Sequence, residues 1–120
     1  MSASGDRIPA RRLRYTDRAL ADLDAINGWL TQPGAGAAAR RKLSAIRAAI
    51  RRLRIHPCLF PVGQHAGVRE LPCDGGYRVL HRVAPDTGRS ETAGDVIVLR
   101  VFGPGQDRGS LDCNSKSTIA

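Results

Sequence analysis

The chain has 120 residues and 42% of them are hydrophobic, which is enough for one buried core and leaves no room for a second domain. Aromatic residues make up only 4%, so Leu, Ile, Val and Ala must build that core. The formal net charge of +8 implies an acidic partner, which is either nucleic acid or protein.

The cysteines and the hydropathy of the chain exclude several classes of protein. Cys58, Cys73 and Cys113 are an odd set without a CxxC pair, which argues against a disulfide framework and against a zinc site. Residues 1–12 lack the apolar core of a signal peptide, and no apolar run approaches the roughly 20 residues that span a bilayer. We therefore expect a cytoplasmic protein with no membrane association, no metal and no cofactor.

The first half of the chain predicts a strand and two helices. Residues 1–10 are polar and are expected to form a flexible N-terminus, and a short strand over 11–15 follows. Thr16 is the predicted N-cap of the first helix, with Asp17 favouring the positive end of the helix dipole. Gln32-Pro33-Gly34 ends this helix. Its apolar residues recur at helical spacing: Ala19, Leu20, Leu23, Ile26 and Leu30.

The second helix has the clearest pattern, because its apolar residues all fall on one face. His56-Pro57 ends it, since the residue before a proline disfavours helical geometry. A short Pro/Gly loop joins the two helices and predicts an antiparallel hairpin. The apolar face consists of Ala39, Leu43, Ile46, Ile50 and Leu53.

The second half changes to the period of a β-strand. A short strand over 68–71 precedes the turn Asp74-Gly75-Gly76, and alternation predicts a strand over 77–83. A loop over 85–94 leads to an almost continuously apolar strand over 96–102, which is typical of a central strand.

The resulting order, β-α-α-β-β-β, predicts an α+β fold in which an antiparallel sheet packs against a two-helix hairpin. The folded domain is expected over residues 11–106. Residues 107–120 are rich in Gly, Asp and Ser and are expected to be a disordered tail.

Four segments, which together cover roughly residues 13–106, carry a resemblance to a known family: LRYTDRALADLDAINGWL, AIRAAIRRLRIHP, GVRELPCDGGYRVLHRV and DVIVLRVFGPGQ. They contain Ala19-x-x-Asp22-Leu23, Arg69-Glu70-Leu71, Tyr77-Arg78-Val79 and an apolar strand over 97–101. With these residues in this order, the chain resembles the RelE/ParE toxin superfamily, and its ParE-like branch most.

The resemblance implies the toxin of a type II toxin–antitoxin system, neutralised by a cognate antitoxin that is usually encoded beside it. The basic charge suits an acidic toxin-binding segment in that antitoxin. Operator DNA is expected to be bound only through the antitoxin. ParE-like members act on DNA gyrase and are not nucleases, whereas RelE-like members cleave mRNA on the ribosome. Fold alone does not choose between these activities.

An endoribonuclease is the enzymatic alternative. In that case Arg69 and Arg78 hold phosphate, and His81 or Glu70 serves as the base. RelE-like nucleases usually carry an aromatic residue or a histidine near the C-terminus, but no Tyr or His follows Val101 here. His81 is more simply a structural histidine, because it shares a strand face with Val79. A third hypothesis is a degenerate toxin that only binds its antitoxin and regulates its operon.

A one-sided row of arginines on the second helix favours a binding role over a merely solvated surface, because unpaired like charges at this spacing repel each other. Arginines of the strands are expected to extend this surface. Trp29 lies off the apolar stripe; it either covers the corner between the helices, which we favour, or anchors a partner. The predicted target- or antitoxin-binding residues are Arg40, Arg47, Arg51, Arg54, Arg69, Arg78, Arg82 and Trp29.

Overall fold

The computed structural model describes residues 11–104 and 117–118. Its elements are β1 (Leu13–Thr16), α1 (Asp17–Leu30), α2 (Gly36–Arg52), β2 (Arg69–Cys73), β3 (Tyr77–Ala84), β4 (Asp95–Phe102) and β5 (Ser117–Thr118). The predicted order is confirmed, and β5 is an addition that falls within the predicted tail. The predicted flexible N-terminus, residues 1–10, lies outside the described residues. Within the described ranges, no helix is both long enough and apolar enough to cross a bilayer.

The five strands form one sheet in the order β2-β3-β4-β1-β5. β2, β3 and β4 form an antiparallel meander, but β1 pairs with β4 in parallel, with Leu13 opposite Val96 and Tyr15 opposite Val98. The sheet is therefore mixed, and the expectation of a wholly antiparallel sheet was wrong in this one pairing. The pattern of a strand reports which face is buried and not which neighbour it pairs with, so the sequence did not reveal the direction of β1.

Thr16 begins α1 as predicted. Its hydroxyl oxygen accepts a hydrogen bond from the backbone N–H of Ala19 at 3.1 Å, and the hydroxyl donates to the backbone oxygen of Leu99 at 2.8 Å. The predicted apolar stripe holds except at Leu20, which is 41% exposed. Consecutive helical residues point about 100° apart, so Ala19 and Leu20 cannot both face the sheet.

α2 buries the face that the spacing predicts. Leu43, Ile46 and Ile50 are buried in the helix, and Leu53 is buried just after it. The helix ends at Arg52, before His56-Pro57. Both helices pack on the same face of the sheet, so the main core lies between that face and the hairpin.

A β-bulge sits where β3 and β4 pair at the centre of the sheet. Leu80 is opposite Arg100, but His81 is opposite Val98, so Leu99 is an extra residue on β4. Because of this extra residue, Val98 and Val101 both face the helices although three positions separate them.

Candidate functional site

Arg69, a predicted phosphate ligand, is buried and forms a two-pronged ion pair with Asp86. Its Nε and Nη2 donate to the two carboxylate oxygens at 2.9 and 3.0 Å, and its Nη1 donates to the backbone oxygen of Phe60 at 2.8 Å. The Arg69 guanidinium, helped by the backbone N–H of Gly88, lowers the pKa of Asp86 to about 2. Arg69 thus joins β2 to the segment before it and to the loop after β3, and it does not present its guanidinium to a substrate.

His81 lies at 0% exposure on the helix-facing side of β3, as the alternation predicts. Its Nε2 donates to the backbone oxygen of Pro57 at 3.3 Å, and its Nδ1 has no partner. Burial lowers the pKa of His81, so the ring is neutral near pH 7. A base of an RNA-cleaving site must reach the ribose hydroxyl, and His81 has no access to one.

Glu70 and Arg78 lie on the opposite face of the sheet. Glu70 accepts a hydrogen bond from the backbone N–H of Gln64 at 3.2 Å, and its other carboxylate oxygen lies 3.8 Å from Nη1 of Arg78. In the register of β2 and β3, Arg69 is opposite His81 and Glu70 is opposite Leu80. The four candidate catalytic residues are therefore divided between two faces of the sheet and do not converge on one substrate.

The arginine stripe of α2 lines a groove of about 380 Å³. Arg40, Arg47 and Arg51 are exposed, and none of them has an acidic partner in the part of the chain that the structure describes. Arg47 and Arg51 also lie near the phenol of Tyr15, whose pKa burial raises while the two guanidiniums act in the opposite direction. The residues lining the groove are Thr31, Arg40, Leu43, Ser44, Arg47 and Arg51. The positive charge of this groove suits an anionic ligand.

Arg54, the last arginine of the predicted stripe, has a structural contact instead. Its Nε donates to the backbone oxygen of Arg11 at 3.1 Å, and the backbone N–H of Arg11 donates to the backbone oxygen of Arg54 at 3.0 Å. This exchange fastens the segment before β1 to the end of α2. Arg54 does not line the groove.

The arginines of the strands do not extend the α2 stripe, which corrects the sequence-based expectation. Arg78 and Arg82 lie on the face of the sheet that points away from the helices, since the helix-facing residues of β3 are Val79 and His81. Arg82 is exposed and lies in one cross-strand row with Ile97 and Arg14. Arg14 was missed in the sequence, because only the parallel pairing of β1 places it in that row.

Trp29 does not cover the corner between the helices, which was the favoured interpretation. Its side chain is 66% exposed, the most exposed large apolar residue of the described chain. The alternative interpretation, an aromatic residue available to a partner, therefore fits the structure better.

The Ala-x-x-Asp-Leu motif of α1 also has a structural explanation. Asp22 accepts hydrogen bonds from Nε and Nη2 of Arg100 at 2.7 and 3.1 Å and from the backbone N–H of Val101 at 2.9 Å. β1 pairs with β4 only as far as Val98, so the backbone N–H of Val101 has no partner in β1. The Asp22 carboxylate accepts its hydrogen bond instead. The motif thus fixes the first helix on the sheet.

Comparison with known proteins agrees with this fold. Among solved structures, one described as the chromosomal ParDE toxin–antitoxin system from P. aeruginosa is similar, with 20% sequence identity and a TM-score of 0.60. The match covers 79% of this chain and 97% of that chain, and at this identity it shows a shared fold. No curated protein sequence matches. A family model described as the ParE toxin of the type II toxin–antitoxin system parDE matches residues 13–108, which include β1 to β4. The chain therefore belongs to the ParE toxin family of type II toxin–antitoxin systems.

Proposed function

We propose that this protein is a toxin that inhibits DNA gyrase by binding and is neutralised by its cognate antitoxin. The observation that carries the proposal is that two of the four candidate nuclease side chains, Arg69 and His81, are held inside the fold. Arg69 is paired with Asp86, and His81 is buried. General acid–base catalysis needs groups that reach the substrate, and these two do not. Membership of the ParE family supports the same reading.

The exposed cationic groove of α2 supports a binding mechanism. Arg40, Arg47 and Arg51 offer forked donors that suit carboxylates of a protein target or of an acidic antitoxin segment. Trp29 adds an exposed aromatic anchor of the kind found at binding hot spots. Operator DNA would then be contacted through the antitoxin, and a toxin with this target would act in the cytoplasm.

The test is a supercoiling reaction with gyrase, ATP and relaxed plasmid. Purified toxin is expected to inhibit supercoiling or to trap cleaved DNA, and preincubation with the antitoxin encoded beside it is expected to relieve the effect. Inhibition should be roughly tenfold weaker in an Arg47→Glu/Arg51→Glu variant, because the charge of the groove is reversed. Arg14→Glu/Arg82→Glu, with the same change in net charge on the opposite face, is the matched control.

Three outcomes would count against the proposal. If a high excess of toxin leaves supercoiling unimpaired but the toxin still stops cell growth, the target is not gyrase. New RNA ends in poisoned cells that disappear in Arg78→Ala would establish the nuclease alternative. Normal growth of cells expressing the protein alone would favour a degenerate toxin that only binds its antitoxin.

A further inference from the structure

The exposed surface of α2 carries charge of one sign only. The chain contains no Asp or Glu between Asp24 and Glu70, so the helix has no acidic residue of its own and none near it in sequence. Its basic residues are Arg40, Arg41, Lys42, Arg47, Arg51 and Arg52, and all of them are exposed. Among the residues that the structure describes, none of the six forms a salt bridge. The helix therefore offers many cations to a partner that carries many anions.

The arginines of α2 form two parallel rows. Consecutive helical residues point about 100° apart, so Arg51 and Arg52 lie on different sides of the exposed surface. Arg40 and Arg47 lie on the side of Arg51 and, with it, form the row that lines the cationic groove. Arg41 lies on the side of Arg52, because eleven residues make about three full turns. Each row extends over about 16 Å of the helix axis.

A ridge of small side chains separates the two rows. By helical spacing it consists of Ala37, Ser44 and Ala48, of which Ala37 and Ser44 are exposed and Ala48 is half-buried. The major groove of B-DNA is about 12 Å wide and admits an α-helix, whose diameter with side chains is about 10–12 Å. A low ridge allows the backbone of α2 to enter such a groove, and the arginines on its two sides then reach the phosphates of both strands.

The exposed surface of α2 lacks the large apolar side chain that usually anchors a protein partner. Guanidinium groups suit carboxylates as well as phosphates, so charge alone does not choose between protein and DNA. The large apolar side chains that are exposed belong to α1 and to the segment after α2: Leu20, Trp29, Ile55, Leu59 and Val62. Protein–protein interfaces obtain most of their binding energy from such anchors, whereas protein–DNA interfaces are more polar and much more positive. The exposed residues of α2 therefore favour DNA phosphates.

We propose that the exposed face of α2 binds double-stranded DNA in the major groove, with one row of arginines on each strand. The inference rests on the proposed function for its setting, because the DNA available to a gyrase inhibitor is the segment that gyrase holds. Phosphate contacts carry no sequence information, so this binding is independent of sequence, and operator recognition stays with the antitoxin. Trp29, which does not line the arginine groove, remains available for contact with the gyrase protein.

The experiment titrates the purified toxin into a short fluorescent DNA duplex and follows anisotropy at several salt concentrations. Arg47→Glu/Arg51→Glu and Arg41→Glu/Arg52→Glu should each raise the Kd roughly tenfold or more, because each removes two phosphate contacts on one side of the helix. Each should also lower the slope of log Kd against log salt by about two. Arg14→Glu/Arg82→Glu, with the same change in charge on the far face of the sheet, is the matched control and should stay within about threefold at physiological salt.

Two further measurements test whether α2 enters the major groove. Ser44→Trp places a large side chain on the ridge without a change in charge and should weaken binding to the duplex several-fold, whereas Ser44→Ala should not. An RNA duplex of the same sequence should bind several-fold more weakly than the DNA duplex, because the deep, narrow major groove of A-form RNA does not admit a helix.

Four outcomes separate this inference from its competitors. Equal affinity for the RNA duplex, or an equal loss in the Arg14 and Arg82 control, would overturn it. So would a loss confined to the Arg47 and Arg51 variant, which is expected for carboxylates on one row. A toxin that inhibits gyrase but does not bind the duplex would have a protein partner at α2, and the proposed function would stand without this inference. A toxin that binds the duplex through both rows but leaves supercoiling unimpaired would refute the gyrase target, and the assignment of α2 to DNA would stand.

Discussion

Arg69 and Asp86, which are 17 positions apart, meet in an ion pair with two parallel hydrogen bonds, and the two side chains are only 10% and 22% exposed. The pair holds the loop after β3 against β2, and Nη1 of the same arginine holds Phe60. The endoribonuclease alternative assigns Arg69 to phosphate binding, but in the structure its guanidinium connects three segments of the chain.

Arg69→Met is expected to lower the free energy of unfolding by about 3 kcal/mol, because it leaves a partly buried carboxylate without its partner. Urea denaturation at pH 7 would measure the loss. Arg82→Met, at an exposed position, is the control and should change stability by less than about 0.5 kcal/mol. A loss in Arg69→Met no larger than in the control would show that the ion pair contributes nothing.

The same pair predicts a specific acid sensitivity. Asp86 has a pKa of about 2 in the folded protein against an ordinary value of 3.8, so the unfolded chain takes up its proton first as pH falls. The stabilisation, about 2 kcal/mol, is present above pH 3.8 and is lost as pH falls towards 2. Asp86→Asn should therefore lose stability relative to wild type at pH 7 and converge with it near pH 2. Denaturation curves that remain equally far apart at both pH values would contradict the assignment.

Burial of His81 predicts that the free energy of unfolding also depends on pH in a second, higher range. Its folded pKa lies below 6.5, because burial disfavours the charged ring. As pH falls below 6.5 the unfolded chain binds the proton and the folded chain does not, so stability declines. His81→Leu should flatten the slope of unfolding free energy between pH 6.5 and 5 relative to wild type. The charged groups that face His81, Arg69 and Asp86, do not titrate in this range. Equal slopes in His81→Leu and wild type would show that burial does not perturb this histidine.

A substitution at Asp22 tests whether the Ala-x-x-Asp-Leu motif fixes α1 on the sheet. Asp22→Asn is expected to reduce the free energy of unfolding by about 3 kcal/mol, since Arg100 is only 14% exposed and would lose its counter-charge. Asp24→Asn, an exposed carboxylate on the same helix, is the matched control and should stay within about 0.5 kcal/mol of wild type. If both variants unfold alike, the motif has another function.

Substituting alanine at two glycines, Gly94 and Gly28, should change the stability of the protein in opposite directions. A Cβ at Gly94 would overlap the backbone oxygen of Ala84, so Gly94→Ala must shift backbone and is expected to destabilise by about 1–3 kcal/mol. A Cβ at Gly28, inside α1, meets nothing within 4 Å, and Gly28→Ala is expected to stabilise by about 1 kcal/mol. Thermal unfolding of the two variants side by side checks both signs.

The sequence predicted the elements well because their signals are local. Thr16 was recognised as a cap, and the 4-3-4-3 spacing from Ala39 to Leu53 predicted the buried face of α2. What the sequence could not predict depends on contacts between distant segments. The parallel pairing of β1 with β4, the bulge at Leu99 and the partner of Arg69 all arise from residues far apart in the chain. Alternation placed Arg78 and Arg82 on the face opposite the core, as the structure has them, but the expectation that they extend the α2 surface was wrong because the sheet lies between the two.

The proline on the edge strand has a consequence for the toxin when it is alone. A sheet edge with a row of free N–H groups invites pairing with the edge of another copy, and such pairing leads to aggregation. On the outer edge of β2 the N–H of Glu70 is bonded to the backbone oxygen of Pro61, and Pro72, at the next outward-facing position, has no N–H to donate. The net charge of +8 adds repulsion between copies. Pro72 therefore helps the chain to remain monomeric in the absence of a partner.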